Sequence, residues 1–195
     1  MRYMIAIGAF LALLVSPVSL NSSAHAAGHG DHGGSSHKLG HKSGHNKEKI
    51  MLLELKTGTV KIKLRDDLAP NHVERISTLI GEKFYDGITF HRVIDGFMAQ
   101  TGDPTGTGMG GSDYPDLRAE FSSEPFKRGT LGMARSQHPD SANSQFFICF
   151  DDASWLNGQY TVFGEVVEGM EHIDAIAKGE PPANPDKIIS MRLED

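Results

Sequence analysis

The stretch Phe90-His91-Arg92-Val93-Ile94-Asp95-Gly96-Phe97-Met98-Ala99-Gln100-Thr101-Gly102-Asp103 reads as two short strands meeting at an Asp-Gly turn. In a strand over 97–100, Met98 and Gln100 share one face and Phe97 takes the other. The turn at Asp95-Gly96 folds Arg92 back towards Gln100. A second stretch, Ser144-Gln145-Phe146-Phe147-Ile148, has the same character, with Gln145 and Phe147 on one face. Both set amides among bulky hydrophobes. That mixture suits a largely apolar groove, and such a groove fits a peptide better than a metabolite or a phosphate.

Working outward, the largely apolar 50–55 leads into Lys56-Thr57-Gly58, after which Val60, Ile62 and Leu64 alternate with Lys61, Lys63 and Arg65; a period-two run beside a Gly-bearing turn is the signature of a hairpin. Pro70 then opens a helix in which Val73, Ile76, Leu79 and Ile80 share a face and Gly81 ends the run. Short strands are expected over 88–94, 97–100, 130–134, 146–150 and 161–166. A second helix over 170–178 stops at Gly179, and a last strand covers 188–193. Many short strands with two brief helices indicate a mainly β fold, an antiparallel barrel or sandwich rather than a βαβ unit. Residues 102–128 show no element. Their Gly106-Thr107-Gly108-Met109-Gly110-Gly111 run lacks the Lys-Ser/Thr ending of a phosphate loop, so nucleotide binding is rejected.

The 195 residues carry a net charge of −6 and a single cysteine, Cys149, which excludes an internal disulfide framework or a Cys-based zinc cluster. Residues 1–26 hold one charged residue, Arg2, and 27–47 hold Lys38, Lys42, Lys47 and Asp31. Residues 48–195 therefore carry 15 basic and 24 acidic residues, a balance that argues against a nucleic-acid partner.

Residues 1–26 have the form of an export signal. Arg2 precedes an apolar run over 5–15, and Ala24-His25-Ala26 presents small residues for cleavage after Ala26. The run is shorter than the roughly 20 apolar residues of a membrane span, so the mature protein is expected in a bacterial periplasm. Residues 27–47, rich in Gly, His and Ser, lack the apolar content to offset ordering and read as a disordered tether. Their His29, His32, His37, His41 and His45 could chelate a divalent metal, or simply belong to a soluble spacer. The domain proper is 48–195, expected to be monomeric.

Hydrolytic readings fail. No nucleophile elbow surrounds Ser141 or Ser144, no HExxH occurs, His91 reads as a core or rim residue, and Cys149 reads as a buried small hydrophobe.

Taken in order, the 90–103 stretch, Met133-Ala134, Ser144-Gln145-Phe146-Phe147-Ile148, Trp155-Leu156-Asn157-Gly158 and Val162-Phe163-Gly164 resemble the signature of cyclophilin-type peptidyl-prolyl cis-trans isomerases. The similarity runs from about Met51 to Leu193 and is strongest to short bacterial members. It implies an eight-stranded antiparallel β-barrel closed by two α-helices, with a groove on the outer face and no cofactor. It also implies that Arg92 is catalytic and that Gln100 braces it. Phe97, Met98, Phe147 and Leu156 would line the proline pocket, Gln145 and the backbone at Ala134 and Arg135 would align the peptide, and Tyr160 would form a wall. Trp155 would sit at the rim, matching the residue associated with cyclosporin binding in sensitive members. Tyr160 replaces a common His, Arg135 a common Asn, and the loop 136–143 is one residue longer than usual. The expected partners are proline-containing unfolded or partly folded polypeptides. A peptide-holding module and a metal buffer centred on the tether are the competing readings.

Overall fold

The computed structural model describes residues 48–195. The expected signal, the tether and its five histidines lie outside the described residues.

Alternation dictates the first elements. In β1 (Ile50–Leu55) and β2 (Gly58–Leu64) every second side chain is buried, and the two strands pair antiparallel around Lys56-Thr57. The first helix, α1 (Pro70–Gly81), starts on a proline, whose missing N–H has no intrahelical partner there, and buries His72, Val73, Ile76, Leu79 and Ile80. Six strands follow: β3 (Arg92–Ile94), β4 (Met98–Thr101), β5 (Thr130–Met133), β6 (Phe146–Cys149), β7 (Val162–Glu168) and β8 (Ser190–Leu193). The second helix, α2 (Met170–Asp174), lies between β7 and β8.

All eight strands form one antiparallel sheet in the order β3-β4-β6-β5-β7-β2-β1-β8. The sheet curls, and its edge strands are joined through neighbouring backbone: Val93 exchanges two hydrogen bonds with Gly179, and Phe90 donates to Asp186. The expected eight-stranded barrel-like sheet with two helices is therefore present.

Two clusters occupy its two faces. The inner one gathers Leu53, Ile62, Phe90, Ala99, Leu131, Phe146, Ile148 and Phe163 with the buried side of α1. The outer one gathers Met98, Phe126, Ala134, Phe147, Cys149, Ala153, Leu156 and Val162. Adjacent residues of β6 thus alternate between clusters, as the pleat requires. Tyr85 is fully buried, yet its hydroxyl donates to Ser144 O at 2.8 Å, so its polar end is satisfied.

Several expected strands are trimmed, the last one to Ser190–Leu193, and two elements contract by four residues each. The strand over 88–94 contracts to Arg92–Ile94 because Gly87 and Phe90 direct their N–H groups to Ile188 and Asp186 instead of a regular ladder. The helix over 170–178 ends at Asp174, after which Ile176 N bonds Ile173 O in a tighter turn.

The loop over 102–128 is ordered by side chains in place of a ladder. Asp103, almost wholly buried, accepts from the N–H groups of Thr105 at 2.8 Å, Thr107 at 3.1 Å and Gly108 at 2.6 Å. Gly110 is required beside it, since a Cβ there would fall 2.2 Å from Asp103 Oδ1. Glu120 accepts from the backbone N–H of Asn71 and His72 and so caps α1, where the helix dipole favours an anion. Burial works against the Glu120 carboxylate, but His72 and those N–H groups outweigh it and hold its pKa below the usual range. Arg75 ties α1 to the loop through Pro115 O at 2.7 Å.

Burial alone would raise the Asp103 pKa, but the donors from Thr105, Gly110 and Gly108 win and hold it below the ordinary value. Its stabilising contribution is therefore complete above the unfolded aspartate pKa of about 3.9 and is lost as pH falls through the lower folded value. Asp103→Asn is expected to cost about 1–3 kcal/mol at neutral pH. In urea denaturation at stepped pH, the gap between variant and parent should narrow below pH about 4.

Candidate functional site

The site is built by strand register. Arg92 on β3 lies opposite Gln100 on β4, Gln100 opposite Phe147 on β6, and Phe147 opposite Gly132 on β5. Residues directly opposite in an antiparallel sheet share a face, so these four form one row across four strands. The neighbouring row is Ile94, Met98 and Cys149. The rows place a cation and an amide beside the outer apolar cluster.

Gly132 leaves room for the aromatic next to it. A Cβ there would lie 2.3 Å from Phe147 Cζ and 2.6 Å from Phe126 Cε1. The Phe147 ring stacks on Phe126 at 5.7 Å and meets Tyr160 edge-on at 5.9 Å. Met98, Phe147 and Leu156 are buried in this cluster, with Phe97 and Tyr160 packed against it. Phe97 does not take the face opposite Met98. It ends the Asp95-Gly96-Phe97 turn, ahead of the first residue of β4, so strand alternation does not govern it and it packs on the same cluster as Met98.

Trp155 sits on a 3-10 turn (Ser154–Leu156), edge-on to Phe97 at 5.3 Å and 60% exposed. Asn157 secures that turn by accepting from Phe126 N at 2.8 Å.

The polar groups form a second line. Gln100 Nε2 donates to Gln145 Oε1 at 2.9 Å, and Gln145 Nε2 donates to Gly110 O at 2.8 Å. The chain of amides ties β4 to the glycine-rich loop. Beyond it opens a cleft of about 500 Å³, lined in part by Met109, Ser112, Asp116, His138 and Asp140. Gln100 therefore stands beside Arg92 by register while its amide nitrogen bonds Gln145.

The Arg92 guanidinium donates through Nε to Glu180 Oε1 at 2.8 Å. Glu180 lies 88 residues away in sequence, and no local pattern announces it.

Ala134 joins the apolar cluster and gives its N–H to Gln145 O at 3.0 Å. The Arg135 side chain donates to Gln159 O through Nε and Nη2 and lies 4.4 Å above the Tyr160 ring. This cation–π contact directs the guanidinium onto the aromatic wall.

Among the described residues, neither Cys149 nor His91 is set up for covalent chemistry. Burial pushes the Cys149 thiol up to about 12, and burial likewise lowers the His91 pKa despite the nearby Asp103 carboxylate. Among the described residues, no group of three or more His, Cys, Asp or Glu side chains is gathered to hold a metal ion.

Comparison with known proteins places this architecture. Residues 50–193 match the family described as cyclophilin type peptidyl-prolyl cis-trans isomerase/CLD. A "Probable peptidyl-prolyl cis-trans isomerase" of Brucella suis biovar 1 is 56% identical, the match covering 75% of this chain and 83% of that protein. A peptidyl-prolyl cis-trans isomerase of Synechococcus elongatus is 39% identical over 73% of this chain and 94% of its own. Among solved structures, a Cryptosporidium parvum cyclophilin determined in the presence of the dipeptide Ala-Pro superposes with a TM-score of 0.70 at 30% identity, covering 75% of this chain and 99% of that one. A cyclophilin of Hirschia baltica gives 0.68 at 27% identity, covering 73% of each chain. With the family match spanning nearly all of the described residues, the chain belongs to the cyclophilin-type peptidyl-prolyl cis-trans isomerases.

Proposed function

We propose that the enzyme speeds rotation of X-Pro bonds in exported polypeptides, with Arg92 stabilising the twisted amide and the outer apolar cluster holding the proline ring. The observation that carries this reading is the row Arg92–Gln100–Phe147, which sets a guanidinium beside an apolar cluster separate from the core.

Rotation about an amide removes its resonance, at a barrier of about 18–20 kcal/mol. No bond to carbon is made or broken, so neither nucleophile nor general base is required. As the bond twists, the prolyl nitrogen regains a lone pair that can accept a hydrogen bond from Arg92. That bond exists only in the twisted state, and a contact confined to the transition state raises the rate. Five decades of acceleration correspond to about 7 kcal/mol. Phe97, Met98, Phe147 and Leu156 hold the ring while Tyr160 walls it. Gln145 and the backbone at Ala134 and Arg135 align the flanking peptide. Proline-containing dipeptides such as the Ala-Pro used with the Cryptosporidium parvum relative are the minimal ligands of this site. Trp155, exposed at the rim, supplies the contact for cyclosporin.

Export rests on residues 1–26, and the histidines of 27–47 are a separate metal-binding element that rotation does not need.

Exchange spectroscopy on an Ala-Pro peptide tests the catalytic assignment. Arg92→Ala should slow exchange by about 10²–10³-fold, the range seen when one transition-state donor is removed, and parent-like exchange would refute it. Trp155→Ala should retain exchange and weaken inhibition by cyclosporin.

For location, expression in a Gram-negative host followed by fractionation should recover protein from the periplasm with an N-terminus at Ala27. Deleting 27–47 should abolish zinc binding in calorimetry and leave exchange intact.

A further inference from the structure

We infer that Glu180 is a positioning residue for Arg92, a role that rests on the proposed function of Arg92. The backbone builds the pairing. On the edge of β3 away from β4, Val93 N donates to Gly179 O and Gly179 N to Val93 O, both at 2.8 Å. In an antiparallel pair with Val93 opposite Gly179, the residue opposite Arg92 is Glu180. Arg92 is thus flanked across the sheet by Gln100 on one side and Glu180 on the other.

The segment is held tightly enough for this to matter. Gly179 adopts a φ of +145°, and a Cβ there would meet Pro182 Cα at 2.6 Å. Pro181 has no N–H and ends the pairing directly after Glu180. On the far side of the loop, Asp186 accepts from Ala177 N at 2.8 Å and pairs with Lys56 at 2.5 Å. The loop that carries Glu180 is therefore pinned at both ends.

The contact geometry suits orientation better than charge. Glu180 bonds Nε, at the stem of the guanidinium, and a bond there sets the plane in which the two terminal nitrogens lie. The Arg92 side chain is 12% exposed and that of Glu180 54%, so solvent screens their attraction while the hydrogen bond keeps its direction. A guanidinium that must meet a lone pair present only in the twisted amide gains from a preset plane. The effect should fall on the rate of the bound peptide rather than on its binding.

The purified protein is assayed by exchange on an Ala-Pro peptide over a range of concentrations, as parent, Glu180→Ala, Glu180→Gln, Arg92→Ala and the double variant Glu180→Ala with Arg92→Ala. Glu180→Ala should lower kcat about fivefold, equivalent to about 1 kcal/mol of the barrier, with KM unchanged. Glu180→Gln, whose carbonyl still accepts from Nε, should stay within about twofold of the parent. Thermal melts should coincide, and Glu180→Ala should cost nothing more once Arg92 is gone.

Faster exchange in Glu180→Ala, equal losses in the Ala and Gln variants, or a further loss in the double variant would each overturn the role. If Arg92→Ala exchanges like the parent, the failure lies in the catalytic reading itself. A collapse in Arg92→Ala beside a parent-like Glu180→Ala rejects the positioning role alone.

Discussion

The register that sets Arg92 against Gln100, Gln100 against Phe147 and Phe147 against Gly132 is the constraint on which the rest of this molecule depends. A slip of one residue in any of these pairings would turn every side chain of that strand to the opposite face. Phe146 and Ile148 would leave the inner core, and Phe147 would leave the groove. The same hydrogen bonds that hold the sheet therefore also place the candidate site. Gly132 completes the row by omission, because no larger residue leaves space for the Phe147 ring.

The groove also needs a rim, and that rim has no ladder of its own. It is held by charges and amides satisfied inside the protein. Asp103 gathers the N–H groups of its own loop, Glu120 caps α1 from a distance, and Asn143 accepts from Ser112 N at 2.9 Å while donating to Tyr114 O at 2.9 Å. Such networks are stiff because a buried polar group left without a partner is costly. Stiffness is what a site with no covalent step requires. On the proposed mechanism, catalytic power lies in holding a ring, an amide and a guanidinium in fixed relation.

The family's chemistry explains the modest demands on individual residues. Tyr160 keeps an aromatic wall against Phe147 and receives the Arg135 guanidinium over its other contacts. The Arg135 side chain is consequently turned to Tyr160 and Gln159 O. A separate cleft opens on the far side of the Gln145 bond to Gly110 O.

Much of this was written locally in the sequence. Alternation over 60–65 beside a Gly-bearing turn set the first hairpin, and the spacing of Val73, Ile76, Leu79 and Ile80 set α1, because both patterns are periodic over nearby residues. Arg92 against Gln100 was legible too, since a tight turn joins the two strands. The resemblance supplied the closing strand count and an expectation of which residues line the pocket. Other features belonged to tertiary structure alone. Phe97 joined the face of Met98 because a turn residue escapes strand alternation, and both the strand before Ile94 and α2 were cut short by backbone bonds to distant segments. The Gln145 bond to Gly110 O and the Glu180 bond to Arg92 join residues 35 and 88 positions apart. Periodicity reports which face a residue prefers, whereas contacts at such separations are decided only when the whole sheet has closed.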